Sequence, residues 1–324
     1  MLLNRSIEKL IQHIQYRTKI GNIDNISRTN YYEKYYFLHP EIKWAFLATV
    51  VSRNAGWNIC DLKGNWIPQL INRKECDQLF HTYERANWLI FQDAFPQLLL
   101  YHYSTKWQRP LFHLLRYFQV SSFMEHEWQY FWEQRDHYRL LYALIINEQN
   151  VIQQPVIENH YYKKHVFSSL AFKIQDLFHF SVVLMPSCDG SLYGASVTNF
   201  RKLTSRIELG KRLSNILFQN NVYQHVLTFI KSTPHTGSRH DYQQYMPQNS
   251  FAKTPFLRTH FPIINHSPVL DNKWDKRIKI RKSWYEKPKL TDDINITDWY
   301  LRKQKEIEVY LAFKQWLKLK SSKY

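Results

Sequence analysis

The sequence predicts an all-α fold, in which a multi-helix globular body is followed by a largely irregular, basic C-terminal arm and a terminal helix. Three observations lead to this prediction. Apolar residues make up 44% of the 324 residues and aromatic residues 16%, which is enough to fill a large core and excludes wholesale disorder. Apolar positions recur mainly at the helical spacing i, i+3, i+4, i+7. Between residues 232 and 294 that periodicity fades, and Pro, His, Asn, Asp and Lys become frequent.

Caps and breakers along the sequence define the first helices. Ser27 is an N-cap candidate for the second helix, and Pro40 suits the first turn of the third. The third helix is expected to end shortly before Gly56. Asn72 is the N-cap candidate of a long fourth helix, which Pro96 should end or kink. Helices are predicted over residues 6–19, 27–38, 40–54, 73–95, 109–118, 122–134, 136–150, 163–180, 199–219, 221–231 and 297–320.

The helical spacing also predicts a core and a division of the chain. A strand is possible at His179–Pro186, a short β-branched run, and Ser187–Ser196 is expected to form a turn region. Residues 1–231 are predicted to form the helical body, and residues 232–324 an arm and a helix that pack on it, with one single domain as the alternative. The predicted core faces contain Trp44, Leu47, Val51, Leu79, Tyr83 and Ile90.

The most polar turn candidate lies at residues 51–64, directly after an apolar helical run. Two of the chain's seven glycines, Gly56 and Gly64, occur there, and glycine used this sparingly is typical of positions that need a positive φ or a close approach. An arginine fork can clamp a carboxylate or a phosphate, and a nearby aspartate can act as a base. The alternative is a buried helix-end network in which Arg53 pairs with Asp61. The candidate site residues are Ser52, Arg53, Asn54, Trp57, Asn58 and Asp61.

A second candidate site is the loop Thr233–Tyr245, in which histidine, arginine and aspartate are close neighbours. Histidine and aspartate can perform acid–base chemistry near neutral pH, and the alternative is a solvated loop with an Asx-type turn. We expect this loop and residues 52–61 to converge on one concave, partly buried site, because both segments are polar, contain glycine and are flanked by apolar or aromatic residues. The candidate residues of the loop are His235, Arg239, His240 and Asp241.

Motifs that define a cofactor or metal site are absent from the sequence. There is no GxxxxGK[ST], GxGxxG, GxSxG or HExxH pattern, and no CxxC pair with zinc spacing. We therefore expect no cofactor and no metal. An odd number of cysteines, three, argues against a disulfide framework and favours a reducing cytoplasm. The longest apolar runs fall far short of the roughly 20 residues that span a bilayer, so no transmembrane segment is expected.

The formal net charge of +17 favours anionic partners such as nucleic acid, acidic lipid headgroups or a phosphorylated substrate. Positive charge is densest between Lys273 and Lys289, where eight Lys or Arg residues accompany Asp275 and Glu286. Cations interleaved with aromatic rings are typical of surfaces that bind single-stranded nucleic acid, and the alternative is a solvated arm whose rings pack on the body. The candidate anion-binding residues are Lys276, Arg277, Lys279, Arg281, Lys282, Trp274 and Trp284.

The segment HPEIKWAFLATVVSRNAGWNICDLKG, from His39 to Gly64, resembles the YppC-like proteins of bacilli and their relatives, a domain-of-unknown-function family. Two later segments, HTGSRHDYQQY and FLRTHFPIINHSP, are similar as well. The resemblance covers most of the chain. It implies a bacterial cytoplasmic protein, and it implies neither an activity nor a catalytic residue.

Three functions remain open at this point. A binding protein for an anionic partner, with nucleic acid as the first candidate, is the preferred interpretation because of the charge. The alternatives are an enzyme of unidentified class, with a pocket built from the Arg53–Asp61 turn and the Arg239–Asp241 loop, and a protein–protein scaffold. Whether the two polar segments meet around a pocket discriminates most sharply between these functions. The sequence does not determine the oligomeric state.

Overall fold

Helices form most of the regular structure, as the spacing of the apolar residues predicts. Within the described part of the chain, a single antiparallel strand pair accompanies them, so the fold is predominantly all-α. The computed structural model describes residues 2–167, 182–196, 199–247, 252–267, 273–289 and 294–321.

The first half of the chain forms long helices joined by short connections. These are α1 (Leu2–Gly21), α2 (Asn25–Leu38), α3 (Lys43–Asp61), α4 (Ile67–Leu70), α5 (Arg73–Trp107), α6 (Ser122–Gln134) and α7 (His137–Val151), with a 3-10 helix at Phe112–Phe118. The predicted cap at Asn72 is confirmed, because Asn72 and Glu75 form a capping box at the start of α5. The cap of α2 is Asp24, which accepts a hydrogen bond from the Ser27 N–H, so the prediction of Ser27 as the cap is wrong.

Two predicted helix ends are wrong. The helix α3 continues through Gly56 to Asp61, and α5 continues through Pro96 to Trp107. Proline removes the N–H that would bond the carbonyl four residues earlier, at a cost of about 3 kcal/mol. The central turns of α5 are buried in the main core, and their packing outweighs that cost.

The second half contains shorter elements. They are π-helical turns at Gln153–Ile157 and Lys163–Phe167, α8 (His160–Tyr162), β1 (Val183–Pro186), β2 (Leu192–Ala195), α9 (Leu203–Leu217), α10 (Asn220–Ser232), α11 (His240–Gln243), α12 (Leu257–His260), 3-10 turns at Trp274–Lys276 and Lys282–Tyr285, and α13 (Thr297–Ser321). The possible strand is confirmed at β1. Most of the helix predicted over 163–180 lies outside the described residues.

The strand pair forms a hairpin that connects the helical body to the C-terminal region. Val183 lies opposite Ala195 in the antiparallel register, and Gly190 makes the turn with φ +86°. The other edge of β2 receives the chain just before α13, where Ile296 N donates to Leu192 O over 2.8 Å. The terminal helix therefore starts from a fixed point on the hairpin, at Thr297, as predicted.

The predicted core faces are only partly confirmed. Trp44, Leu47 and Leu79 are buried, whereas Val51 is 36% exposed, and Tyr83 and Ile90 are partly buried. Helical spacing places these residues on the inner side of α3 and α5, but the two helices do not close completely against each other there. They leave an apolar cavity of about 210 Å³, which Leu47, Val51, Tyr83 and Ile90 all line.

Candidate functional site

The two polar segments predicted as sites, one on α3 and the other the Thr233–Tyr245 loop, meet inside the protein. Asp61, in the last turn of α3, accepts hydrogen bonds from Arg239 Nε over 2.7 Å and from Arg239 Nη2 over 2.6 Å. One turn earlier, Trp57 Nε1 donates to Asp241 Oδ2 over 3.0 Å. The structure therefore brings the segments together, but these four residues are buried and not partly exposed.

His235 lies between Asp241 and Asn25 of α2. Its Nδ1 is 3.2 Å from Asp241 Oδ2, its Nε2 is 2.8 Å from Asn25 Oδ1, and its ring is wholly buried. A Cβ atom at Gly56 would lie 2.4 Å from Asn25 Oδ1 and 2.7 Å from His235 Nε2. Gly56 is therefore needed for the close approach of the loop to α3, and it does not interrupt the helix.

The remaining polar atoms of Arg239 and Asp241 are also engaged. Arg239 Nη1 donates to Tyr242 Oη over 2.7 Å, and Arg239 Nη2 donates to Asn58 Oδ1 over 3.1 Å. The backbone N–H and the hydroxyl of Thr236 both donate to the carboxylate of Asp241. Every polar side-chain atom of Arg239 and Asp241 therefore has a hydrogen-bond partner, as buried charged groups require.

Both charges persist at neutral pH. Burial opposes ionisation of Asp241, but the hydrogen bonds from His235 and Thr236 outweigh it and hold the pKa of Asp241 below its ordinary value. Burial also opposes the charge of Arg239, but the Asp61 carboxylate raises the pKa of Arg239 above its ordinary value. The network therefore contains the Arg239–Asp61 ion pair and an Asp241 carboxylate held by hydrogen bonds.

Arg53 is paired differently from the sequence-based alternative, in which it contacts Asp61. Its Nη1 donates to the Thr233 carbonyl over 2.8 Å, and its Nη2 donates to Glu33 Oε2 and to the Ile230 carbonyl over 3.3 Å each. Arg53 therefore holds the C-terminal end of α10 through the orphan carbonyls there. Eight positions separate Arg53 from Asp61 on α3, about 12 Å along the helix axis, and Asp61 pairs with Arg239 instead.

Asn54 and Ser52 connect α3 to two further elements. The Asn54 amide donates to the Leu184 carbonyl and accepts from the Leu184 N–H, both over 2.7 Å, so it pairs with β1 as a neighbouring strand would. Asn25 Nδ2 donates to the Ser52 carbonyl over 2.8 Å, and the Ser52 hydroxyl bonds to Thr29 over 2.7 Å. Both residues belong to the buried network, and Asn54 also lines the apolar cavity of about 210 Å³.

This network has no room for a substrate. The cavity beside Asp61 and Arg239 measures about 10 Å³, which holds at most one water molecule. His240, the remaining candidate of the loop, has an exposed side chain. The neighbouring Cys60 thiol is buried, and burial raises its pKa far above its ordinary value, so it is not an activated nucleophile. The geometry matches the alternative of a buried helix-end network and gives no support to an enzyme pocket here.

The basic arm, residues 273–289, places its rings inward and its charges outward. Trp274 and Trp284 are only 1% and 5% exposed, so neither indole is available to stack on a base. The tryptophans therefore belong to the core and not to an anion-binding surface. All eight cations are exposed: Lys273, Lys276, Arg277, Lys279, Arg281, Lys282, Lys287 and Lys289.

Sequence reasoning missed two carboxyl groups whose pKa the structure raises towards neutrality. Burial raises the pKa of Asp93 from an ordinary value of 3.8 to about 7, against hydrogen bonds from Asn147 and Gln97. Burial likewise raises the pKa of Glu148 from 4.5 to about 7, and Glu148 lines the apolar cavity between α3 and α5. The sequence did contain an indication of them, because each is an acidic residue at a position that the helical spacing places on the core-facing side of a helix. Acidic residues are rare at such positions unless they are paired or neutral.

A larger cleft, of about 550 Å³, lies between α1 and α5. Its lining mixes amide side chains with rings, among them Gln15, Gln92, Trp88 and Tyr117. Its volume is in the range of small-molecule sites, although nothing in its lining selects one ligand class. No group of three or more His, Cys, Asp or Glu residues suited to a metal ion occurs among the described residues.

Comparison with known proteins identifies the family. A family model described as "Protein of unknown function (DUF2515)" matches residues 21–322. The chain belongs to this family. The uncharacterized protein YppC of Bacillus subtilis (strain 168) is 47% identical over 317 residues, which cover 97% of this chain and 98% of that relative. The predicted resemblance to YppC-like proteins is thereby confirmed. No solved structure matches the chain. Among the described residues, none of the helices is both long and apolar enough to cross a bilayer.

Proposed function

We propose that this protein binds a polyanion, nucleic acid first among the candidates, through the basic arm. The observation that carries the proposal is the row of eight exposed cations within 17 residues, from Lys273 to Lys289, on a segment that the core holds in place. Clustered Lys and Arg side chains neutralise phosphates and release counterions, which supplies most of the affinity for a nucleic-acid backbone.

The arm is anchored to the rest of the protein at two points. Trp274 Nε1 donates to Asn147 Oδ1 over 3.1 Å, and its ring packs edge-on against Phe123, with the centroids 5.2 Å apart. The buried Lys211 of α9 donates to the backbone carbonyls of Ser283 and Glu286. Anchors at both ends of the arm lower the entropy lost on binding.

The arm carries little negative charge of its own to cancel these cations. Asp275 Oδ2 accepts hydrogen bonds from the Ser122 hydroxyl and the Phe123 N–H, at the start of α6, where a carboxylate also complements the helix dipole. Of the two acidic residues in the arm, only Glu286 has an exposed side chain. The surface potential of the arm is therefore positive, and an anionic polymer complements it.

The expected mode of binding is backbone contact and not base stacking, because the indoles of Trp274 and Trp284 are buried. Duplex and single-stranded nucleic acid should therefore bind through the same cations. We also propose a cytoplasmic location. The three cysteines, Cys60, Cys76 and Cys188, are free thiols, which is typical of a reducing compartment.

Fluorescence anisotropy of a labelled DNA duplex and of the matching single strand tests the proposal. In the wild-type protein, affinity should fall steeply between about 50 and about 200 mM salt, with a log–log slope near −0.9 per phosphate contact on duplex and −0.7 on single strands. The arm variant carries five substitutions: Lys276→Gln, Arg277→Gln, Lys279→Gln, Arg281→Gln and Lys282→Gln. It should bind weakly and with a flatter slope.

A control variant removes the same number of charges from exposed positions of the helical body. Its substitutions are Lys9→Gln, Lys34→Gln, Lys74→Gln, Lys106→Gln and Arg116→Gln. This variant should retain most of the affinity, since charges far from the bound nucleic acid are screened by salt and add less to the affinity than charges in contact with it. Equal losses in the two variants would show that only net charge matters. Absence of binding at micromolar protein in low salt would refute the proposal.

A further inference from the structure

The outer side of the terminal helix α13 is apolar, although it faces away from the protein. Val309, Phe313, Trp316 and Leu317 are 63%, 56%, 49% and 46% exposed. They recur at i, i+4, i+7 and i+8, so they form one continuous stripe, which we call the outward face. Scattered single apolar residues on a surface are ordinary, but a contiguous patch of this kind marks an interaction site.

A separate stripe of α13 attaches the helix to the protein. Tyr300, Ile307 and Leu311 are buried. Ile307 and Val309 differ by two positions, which is about 200° around a helix. Farther along, Lys314 Nζ donates to the Gln69 carbonyl over 2.7 Å. The helix therefore cannot rotate the outward face into the core without losing its buried stripe.

Positive charge borders the outward face. Lys320 lies one turn beyond Trp316, with its Nζ 4.2 Å from the ring centroid. At the other end, Arg302 and Lys305 are exposed on the same side of the helix. The acidic residue on that side, Glu306, is paired with Lys303 over 2.7 Å. No acidic residue follows Glu308 in the sequence, whereas four lysines do.

We propose that the outward face of α13 lies on an anionic phospholipid surface, with the rings of Phe313 and Trp316 inserted at the interface and the flanking lysines against the headgroups. Helices that lie in the membrane interface combine an apolar stripe containing aromatic residues with cations at its borders. Aromatic rings with an amphipathic character prefer the headgroup level, and each cation near an anionic leaflet adds to the attraction.

A second copy of the chain fits the same face less well. Each copy carries a net charge of +17, so two copies repel each other. A lipid surface of opposite charge has no such repulsion. This proposal is independent of the basic arm, because it rests on exposed apolar side chains and not on the cations of residues 273–289.

Sedimentation of the full-length protein with vesicles tests the proposal. Vesicles of phosphatidylcholine with about 30% phosphatidylglycerol should retain the protein, and vesicles of phosphatidylcholine alone should not. The double variant Phe313→Ser/Trp316→Ser should lower the partition coefficient about tenfold or more, because each ring contributes apolar area to the inserted face. The matched control is Phe256→Ser/Tyr138→Ser, which removes two rings of similar exposure elsewhere, and it should bind as the wild type does.

Three results would overturn the proposal. The first is equal binding of the wild type and of Phe313→Ser/Trp316→Ser. The second is loss of vesicle binding in the five-site arm variant with full binding in the helix variant, which would assign lipid binding to the arm. The third is a wild-type dimer in light scattering that the helix variant converts to a monomer, which would assign the face to a second copy. Because both rings are exposed, thermal melting should be the same in the helix variant and the wild type.

Discussion

The Thr233–Tyr245 loop and the basic arm both mix cations with aromatic rings, yet the protein places their charges in opposite environments. In the loop, Arg239 is buried because α3 supplies the carboxylate of Asp61, and His235 is buried between Asp241 and Asn25. In the arm, the rings are buried and the cations are exposed. Arg239 can be buried because another element brings a carboxylate to it, since an uncompensated buried charge is costly.

The largest expected effect comes from breaking a compensated pair. Asp61→Ala should lower the free energy of unfolding by about 3–5 kcal/mol, because it leaves the Arg239 charge buried without its partner. Urea denaturation at neutral pH measures this cost. The double variant Asp61→Leu/Arg239→Met should be less destabilised than the single variant, since it removes both charges.

The matched control for this experiment is Lys276→Ala, in the arm. It should change the free energy of unfolding by no more than about 0.5 kcal/mol, as expected for an exposed side chain. If Asp61→Ala were as stable as Lys276→Ala, the contrast between the loop and the arm would not hold.

A comparable effect should come from the inward side of the arm. Trp274→Ala should cost about 3–5 kcal/mol, because it empties a core position and removes one of the two hydrogen bonds that Asn147 Oδ1 accepts. Trp274→Phe should keep the affinity for duplex and single-stranded DNA, which anisotropy measures. Loss of single-strand affinity at unchanged thermal stability would mean that the ring contacts the nucleic acid after all.

A smaller effect concerns Asp93, a buried carboxyl group that accepts hydrogen bonds from the neutral side chains of Gln97 and Asn147. Its pKa is raised by burial from 3.8 to about 7, so the folded state retains a proton that the unfolded state releases. Protonated Asp93 therefore contributes to the free energy of unfolding. This contribution is fully present below pH 3.8, and it is lost as the pH rises towards 7, with a decrease on the order of 2–4 kcal/mol. Thermal melts across that range should show it.

Asp93→Asn should flatten this pH dependence, and Asp77→Asn should not, because Asp77 is exposed on the same helix. Glu148 contributes with the same sign, since burial raises its pKa to about 7 as well. A pH dependence that Asp93→Asn leaves unchanged would contradict the assignment of a neutral, buried carboxyl group.

Local sequence signals accounted for the helices and for the course of the chain. The helix start at Asn72, the helix start at Thr297 and the strand before Pro186 all follow from caps, spacing and β-branched runs, which act over a few residues. The prediction of a helix end at Pro96 was wrong because the free-energy cost of one proline in a helix is local and moderate. The packing of α5 around Pro96, in contrast, involves much of the core. Tertiary packing therefore outweighs a single breaker in a long buried helix.

The candidate site was found only in part for a related reason. The prediction that the two polar segments meet needed only their composition, but their pairing depended on residues far apart in the chain. Arg239 and Asp61 are separated by 178 positions, and Arg53 is nearer to Asp61 in sequence than Arg239 is, yet it contacts Glu33. Asn25, which completes the network, carried no signal because an asparagine at a helix start is ordinary.

By itself, the sequence determined the helical class, the family, the charge and the density of cations in the arm, because each of these depends on composition or on short-range spacing. Only the tertiary structure decided which polar residues are buried and which are exposed. In the folded protein, Gly56 lies at the close approach of the loop to α3, and Trp274 is buried in the core. Phe313 and Trp316 remain exposed to solvent. The physical reason is that burial depends on partners which the fold brings together, and neither composition nor helical period specifies those partners.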